Sequence, residues 1–253
     1  MKKIILFVGF VLLQQLATAQ NQPNLYNTVH KEKMKAWVDS VYKSMTPDEH
    51  IGQLFMVVAN TYNTEANRNL INRYINQQKI GGILFSKGTI AAQAALTNYA
   101  QKNSKTPLFI GLDGECGLSM RLTDAPKFPR NMVLGAIKDD SLLYLYGKEV
   151  ARQCKELGIH INFAPVLDVN SNPNNPVIGS RSYGESPHNV AAKGIAYAKG
   201  LEEGGIIAVS KHFPGHGDTS EDSHKTLPLI THHMERLKEI ELLPFISYIN
   251  AGL

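Results

Sequence analysis

The sequence is poor in cysteine. Only two, Cys116 and Cys154, occur among its 253 residues, which excludes a small fold stapled by several disulfides. Neither has a second cysteine at the spacing of a structural zinc site. We expect two separate thiols, Cys154 within a helix and Cys116 in a loop after a strand, each packed as a small apolar side chain.

The sequence also has little net charge. It contains 26 Lys and Arg against 22 Asp and Glu, a formal net charge of +4, and Lys2 and Lys3 lie in a leader segment. This balance gives no electrostatic reason to expect nucleic acid or an anionic membrane surface as partner. The hydrophobic fraction of 43% and the charged fraction of 19% are ordinary for a folded soluble domain.

Residues 1–19 have the pattern of a secretory signal peptide. Lys2 and Lys3 precede an apolar run at 4–13, and small residues at 17–19 form a cleavage site. The run is too short to span a bilayer, so we expect cleavage, export to the periplasm or beyond, and no stable membrane insertion afterwards. An uncleaved anchor is the alternative. No cysteine follows the run, so lipid attachment there is not supported.

Residues 20–45 lead into a domain that we place at 46–253. Five short apolar runs, at 54–58, 83–85, 108–112, 159–164 and 206–209, alternate with helical patterns. The runs do not alternate polar and apolar residues, which predicts strands buried on both faces in a parallel sheet of the α/β class. A capping box at 46–49 begins the first helix, and the last helix is predicted at about 234–250, interrupted or kinked near Pro244.

The loops of this domain are asymmetric in length. Long polar segments rich in glycine and proline follow the strands, at 114–140 and 165–187, whereas the links from helices to strands are short. This asymmetry is typical of a (β/α)8 TIM-type barrel with its active site at the carboxyl ends of the strands. With five strands present, we interpret the sequence as a barrel truncated at its C-terminal side, and an open five-stranded sheet is the alternative.

The densest set of reactive side chains follows the fifth strand, in the sequence KHFPGHGDTSEDSH at 211–224. Its proline and two glycines exclude a helix and allow a sharp turn. Asp222 lies two residues before His224, close enough to reach the imidazole if the loop curls. Such a contact would fix the tautomer of the ring and raise its basicity.

Two earlier loops contribute further acids and bases. Asp113 and Arg121 follow the third strand, while Asp168 and Arg181 follow the fourth. Carboxylates accept hydrogen bonds from vicinal hydroxyls, and cations donate charge-assisted bonds. Taken singly, three of these have a plain structural explanation: a turn for Asp113, a cap for Asp168 and a surface position for Arg181.

In order and spacing, these blocks resemble glycoside hydrolase family 3. The sequence KHFPGHG followed by DSH is similar to its bacterial β-N-acetylglucosaminidase (β-N-acetylhexosaminidase) branch, and the resemblance covers about 46–253. It implies a barrel domain that removes a non-reducing terminal sugar with retention, through a covalent glycosyl-enzyme and without a cofactor. The implied substrate is a GlcNAc-containing glycan such as a peptidoglycan fragment.

The resemblance also implies roles for residues of this sequence. His224 would be the general acid/base and Asp222 its orienting partner, since an imidazole can both donate and accept a proton near neutrality. Five further residues would hold the hydroxyls and other polar groups of the substrate: Asp113, Arg121, Arg181, Lys211 and His212.

The sequence departs from the family pattern in two places. The branch usually reads Asp-His-Glu-Gly-Gly after the third strand, where this chain has DGECG at 113–117, so the shape of the sugar pocket is expected to differ. The nucleophile of the family is an aspartate after the seventh strand, which we expect beyond residue 253. The chain as written is therefore expected to be inactive as a retaining hydrolase.

Other interpretations stay open. His212, His216 and Asp218 would supply ligands to a metallohydrolase, although the adjacent Lys211 disfavours a cation, and we predict no metal. A family 3 β-glucosidase would normally lack the Asp-Ser-His element, an inactive sugar-binding remnant would not need it, and phosphorolysis is as compatible with a histidine acid/base as hydrolysis. His216, between glycines, is predicted to be structural, satisfied by backbone groups, and His232 to lie at the surface.

Overall fold

The computed structural model describes residues 30–253. The chain divides into a first unit that ends at Lys43 and a second from Ser44 to Leu253. The described part of the first unit is helix α1 (Lys31–Lys43). The signal peptide predicted at 1–19 lies outside the described residues. Within 30–253 no helix has the length and apolar character needed to cross a bilayer.

The second unit alternates helices with strands. Its elements, in chain order, are α2 (Pro47–Gly52), β1 (Met56–Thr61), α3 (Glu65–Asn76), β2 (Gly82–Gly88), α4 (Ile90–Asn103), β3 (Phe109–Leu112), α5 (Asn131–Gly135), α6 (Ser141–Glu156), β4 (Ile161–Asn162), α7 (Pro187–Glu203), β5 (Ile207–Ala208), α8 (Met234–Glu239) and α9 (Leu243–Asn250). Two short 3-10 turns, Leu118–Met120 and Gly179–Arg181, lie in the loops after β3 and β4.

The sheet is parallel and its strands lie in sequential order, β1-β2-β3-β4-β5. Gly82 of β2 pairs with Phe109 of β3, and Ile161 of β4 pairs with Gly111 of β3 and Ile207 of β5. A doubly wound sheet would reverse its order at a switch point, whereas each strand here adds beside its predecessor, as in a barrel wall. The predicted α/β class with a parallel sheet is confirmed.

Local sequence signals explain where the helices begin. Thr46 Oγ1 accepts a hydrogen bond from the Glu49 amide at 3.3 Å, and Glu49 Oε2 accepts one from the Thr46 amide at 2.8 Å. The capping box predicted at this point is therefore present. The last helix predicted at 234–250 is interrupted near Pro244, as expected. It consists of α8 and α9, and Pro244 lies in the first turn of α9, where a missing amide donor costs nothing.

The backbones of α6 and α7 touch at two glycines. A Cβ atom on Gly147 would lie 2.2 Å from the Tyr197 carbonyl oxygen, and one on Gly200 would lie 2.2 Å from the Tyr144 carbonyl oxygen. These contacts bring the two helices together, and Leu143, Val150 and Leu201 on them are fully buried. Because α6 precedes β4 and α7 precedes β5, this packing joins two successive helix–strand units.

We expect Gly200→Ala to lower the free energy of unfolding by about 1–3 kcal/mol, because the added methyl overpacks the helix contact. An ordinary Gly→Ala change in a helix would raise it by roughly 0.5–1 kcal/mol. Urea unfolding measures the difference, with the exposed neighbour Lys199→Ala as control, expected within about 0.5 kcal/mol of wild type. A more stable Gly200→Ala protein would show that the helices are not in backbone contact.

Candidate active site

The carboxyl ends of β3, β4 and β5 carry a hydrogen-bonded set of charged side chains. Asp113 comes directly after β3, Asp168 lies in the loop after β4, and Lys211 and His212 follow β5. Neighbouring parallel strands end at the same edge of a sheet, so their loops meet there. We call the following seven residues the polar cluster: Asp113, Glu115, Arg121, Asp168, Arg181, Lys211 and His212.

Asp113 accepts hydrogen bonds from two cations. Arg121 donates through Nη2 to Oδ2, and Lys211 donates through Nζ to Oδ1. Arg121 Nε also donates to the Asp113 carbonyl oxygen at 2.9 Å. The loop after β3 is thereby tied to β5, and the carboxylate keeps an exposed edge toward solvent.

Glu115 is the most deeply placed acid of the β3 loop, with its side chain only 2% exposed. Arg181 holds it with two bonds, from Nε at 2.9 Å and from Nη2 at 2.7 Å, and Lys211 Nζ lies 2.7 Å from Oε1. Burial alone would raise the pKa of Glu115, but the hydrogen bonds and charges of Arg181 and Lys211 outweigh it and lower the pKa to about 2.

Asp168 is fully buried and anchors the segment after β5. It accepts from the ring Nδ1 of His212 at 2.6 Å and from the backbone amides of His212 at 3.2 Å and His216 at 2.7 Å. With Nδ1 donating to this carboxylate, Nε2 of His212 accepts from Arg181 Nη2 at 3.1 Å. Both ring nitrogens of His212 are thus engaged within the polar cluster.

Asp222 and His224 form the contact that the sequence suggested. His224 Nδ1 lies 2.7 Å from Asp222 Oδ1, and the His224 amide donates to the same oxygen at 2.9 Å. The bond from that amide, reinforced by the ring, lowers the pKa of Asp222. With Nδ1 facing the carboxylate, Nε2 is directed to solvent, and the His224 side chain is 79% exposed.

The two parts of the site are separate in this structure. Within residues 30–253, neither Asp222 nor His224 hydrogen-bonds to a member of the polar cluster. The connection runs through His216, whose amide binds Asp168 and whose ring contacts Thr219 Oγ1 at 2.6 Å and Ser223 Oγ at 2.9 Å. His216 is therefore structural, as expected, but side chains satisfy its ring, not backbone groups.

Two asparagines of the β4 loop hold the first half of the β5 loop. Asn175 Nδ2 donates to the carbonyl oxygens of His216 at 2.7 Å and Thr219 at 2.9 Å. Asn172 Nδ2 donates to the Asp218 carbonyl at 3.1 Å. The Asp218 side chain contacts His232 Nε2 at 2.5 Å, and His232 is exposed, as predicted.

The histidines after β5 are poorly placed to act as metal ligands. The ring nitrogens of His212 and His216 are all in hydrogen bonds, and the Arg181 guanidinium beside His212 repels a cation. Across residues 30–253 no group of three His, Cys, Asp or Glu side chains is arranged to hold an ion.

The two thiols are free and buried, as predicted. Burial raises the pKa of Cys154 to about 12 and also raises the pKa of Cys116. Both thiols are consequently poor nucleophiles.

Comparison with known proteins identifies the family. Residues 46–253 match the model described as the glycosyl hydrolase family 3 N-terminal domain. The chain belongs to glycoside hydrolase family 3. The predicted membership is therefore confirmed, and the match spans the described strands and both parts of the site.

Relatives of known name agree with this assignment. Beta-hexosaminidase A of Pseudoalteromonas piscicida is 40% identical over 195 residues, 72% of this chain and 33% of the relative. Beta-hexosaminidase LpqI of Mycobacterium tuberculosis is 31% identical over 219 residues, 82% of this chain and 53% of the relative. The chain thus spans about a third to a half of the length of these curated relatives.

A solved family 3 structure has the same fold. The β-N-acetylglucosaminidase from Paenibacillus sp. str. FPU-7 superposes with a TM-score of 0.74 at 37% identity, over 83% of this chain and 41% of that one. Identity at this level supports a shared family as well as a shared fold.

Glu115 should stabilise the folded protein near neutral pH and lose this effect in acid. Because the folded-state pKa of about 2 lies below the ordinary value of 4.5, its ionised form stabilises the fold above pH 4.5, and this contribution disappears as pH falls toward 2. The difference in unfolding free energy between wild type and Glu115→Gln should shrink by roughly 3 kcal/mol between pH 5 and pH 2. Urea titrations at several pH values measure it, and a pH-independent difference would contradict the assignment.

Proposed function

We propose that the protein is an exported, retaining glycosidase that removes terminal non-reducing β-N-acetylglucosamine. The observation that carries this is the pairing of two features at one edge of the sheet. One is a polar cluster suited to sugar hydroxyls, and the other is an Asp222–His224 pair with an imidazole nitrogen open to solvent. GlcNAc-containing glycans, peptidoglycan fragments among them, are the proposed substrates.

The polar cluster has two layers. Glu115 and Asp168 are buried, while Asp113, Arg121 and Lys211 keep part of their surface in solvent. A vicinal pair of hydroxyls can donate to the Asp113 carboxylate and accept from the flanking cations, which gives charge-assisted bonds of both polarities. Arg181 and His212, also partly exposed, extend this surface toward the β4 loop.

His224 is suited to acid/base work. Its Nδ1–H donates to Asp222, which fixes the tautomer and stabilises the imidazolium when the ring is protonated. Nε2 can then give a proton to the departing glycosidic oxygen and later take one from the water that completes hydrolysis. This use requires the exposed loop to bring Nε2 to the scissile bond. No residue of this chain is assigned the role of nucleophile.

The names of the relatives favour the proposed sugar. Two are called beta-hexosaminidases, and a protein of Cellulomonas fimi, 29% identical over 86% of this chain, is called a beta-N-acetylglucosaminidase/beta-glucosidase. That second name makes β-glucoside hydrolysis the second candidate for the same site. The proposed export rests on the leader pattern at 1–19.

We expect the natural full-length protein to hydrolyse p-nitrophenyl β-GlcNAc and chitobiose, and we expect a chelator to leave both rates unchanged. His224→Ala should lower kcat/KM for chitobiose by about 10²-fold or more. The loss should be smaller for the p-nitrophenyl substrate, because p-nitrophenolate leaves without protonation whereas a sugar alcohol does not. Steady-state kinetics on both substrates measure the two losses.

The exposed His188, at the start of α7, supplies the matched control, and His188→Ala should leave both rates unchanged. Equal losses on the two substrates would contradict an acid role for His224. Faster hydrolysis of a β-glucoside than of the β-GlcNAc substrate would favour the second candidate, and loss of activity on chelation would favour a metal site.

A further inference from the structure

We propose that Glu115 is a positioning and specificity-determining residue, which orients Arg181 and Lys211 toward the sugar and keeps the polar cluster from binding anions. This inference rests on the proposed role of the cluster in sugar binding. It concerns a residue that does not itself touch the substrate, since its side chain is only 2% exposed while those of Arg181 and Lys211 are 21% and 15% exposed.

The contacts of Glu115 show how it sets the directions of both cations. Arg181 presents its Nε–Nη2 edge to the two carboxylate oxygens, the fork geometry that fixes a guanidinium plane. Lys211 Nζ is shared between Asp113 and Glu115, so the amine is held between the two carboxylates. Without Glu115, Lys211 would keep Asp113 as its ion-pair partner, and Arg181 would keep the Val177 carbonyl oxygen at 3.1 Å and His212.

The charges of the polar cluster balance only when Glu115 is included. The carboxylates are Asp113, Glu115 and Asp168, and the cations are Arg121, Arg181 and Lys211. Removal of the Glu115 charge leaves one uncompensated cation in a partly buried site, where a charge interacts more strongly than in water. The excess positive charge does not strengthen the binding of a neutral sugar, but it does strengthen the binding of a small anion.

The backbone around Glu115 is held by groups other than its carboxylate. Asn162 Oδ1 accepts from the Gly114 amide at 3.0 Å, and Asn162 Nδ2 donates to the Gly114 carbonyl at 3.3 Å. The Gly117 amide donates to the same carbonyl at 3.2 Å. Glu115→Gln therefore removes the charge from a side chain of the same shape while the loop keeps its own anchors.

The experiment compares sugar and anion binding in the natural full-length protein. Calorimetric titration with N-acetylglucosamine measures sugar affinity, and inorganic phosphate is titrated in a parallel series and as an inhibitor. We expect Glu115→Gln to weaken sugar binding by about 10-fold or more, which corresponds to the loss of one charge-assisted contact. We also expect it to bind phosphate at least 10-fold more tightly than wild type does.

Asp140→Asn is the matched control. Asp140, just before α6, pairs with the buried amine of Lys193, so its loss disturbs another partly buried ion pair outside the cluster. This variant should lose stability while its affinities for sugar and phosphate stay at wild-type values. A general loosening of the fold would instead change binding in both variants.

The outcomes separate this inference from the proposed function. Suppose that the wild type binds the sugar and that Glu115→Gln has sugar and phosphate affinities within 2-fold of the wild-type values. This result overturns the inference about Glu115 and leaves the proposed function standing. Wild type that does not bind the sugar overturns the proposed function and, with it, the orienting role of Glu115 toward the sugar. The phosphate series then decides the exclusion of anions: tighter phosphate binding in Glu115→Gln supports it and unchanged binding overturns it. Circular dichroism confirms that each variant is folded.

Discussion

The site depends on one ammonium group placed between two carboxylates. Lys211, in the loop after β5, contacts both Asp113 and Glu115 from the loop after β3, although β4 lies between those strands in the sheet. The amine therefore fixes two non-adjacent loops relative to each other. Its second partner, Glu115, holds Arg181 of the β4 loop, so one chain of ion pairs locks three loops together.

The structure separates the polar cluster, proposed to bind the sugar, from the Asp222–His224 pair, proposed to act as acid/base. The polar cluster is anchored by buried acids and by backbone amides that converge on Asp168. The Asp222–His224 pair lies further along the β5 loop, beyond the residues held by Asn172 and Asn175, and is exposed. Rigid anchoring suits groups that must match hydroxyl positions, while an acid/base group must reach a bond that differs among substrates.

Much of this arrangement could be predicted from the sequence. The parallel α/β sheet followed from five apolar runs separated by helical patterns. Five members of the polar cluster followed from the resemblance of the loops after those runs to family 3: Asp113, Arg121, Arg181, Lys211 and His212. These features are local, because residue type and position in the chain determine them. The contact between Asp222 and His224 was also accessible, since two residues in a turn can meet without help from the rest of the fold.

Other features could not be read from the sequence because distant segments create them. Glu115 looks like any loop acid until Arg181, 66 residues away, is seen to hold it. The same applies to Asp168, whose partners lie 44 and 48 residues further on, and to the pairing of His232 with Asp218. A break or a kink near Pro244 was predicted, but the sequence does not decide between the two, and the structure shows that Pro244 lies at the start of a separate helix, α9.

A crystal structure of the natural protein with N-acetylglucosamine bound is the measurement that tests the central claim most directly. We predict sugar hydroxyls within hydrogen-bond distance of the Asp113 carboxylate and the Lys211 amine, with Glu115 behind them and out of contact. A sugar bound at another part of the molecule, or one that contacts Glu115 directly, would contradict the account.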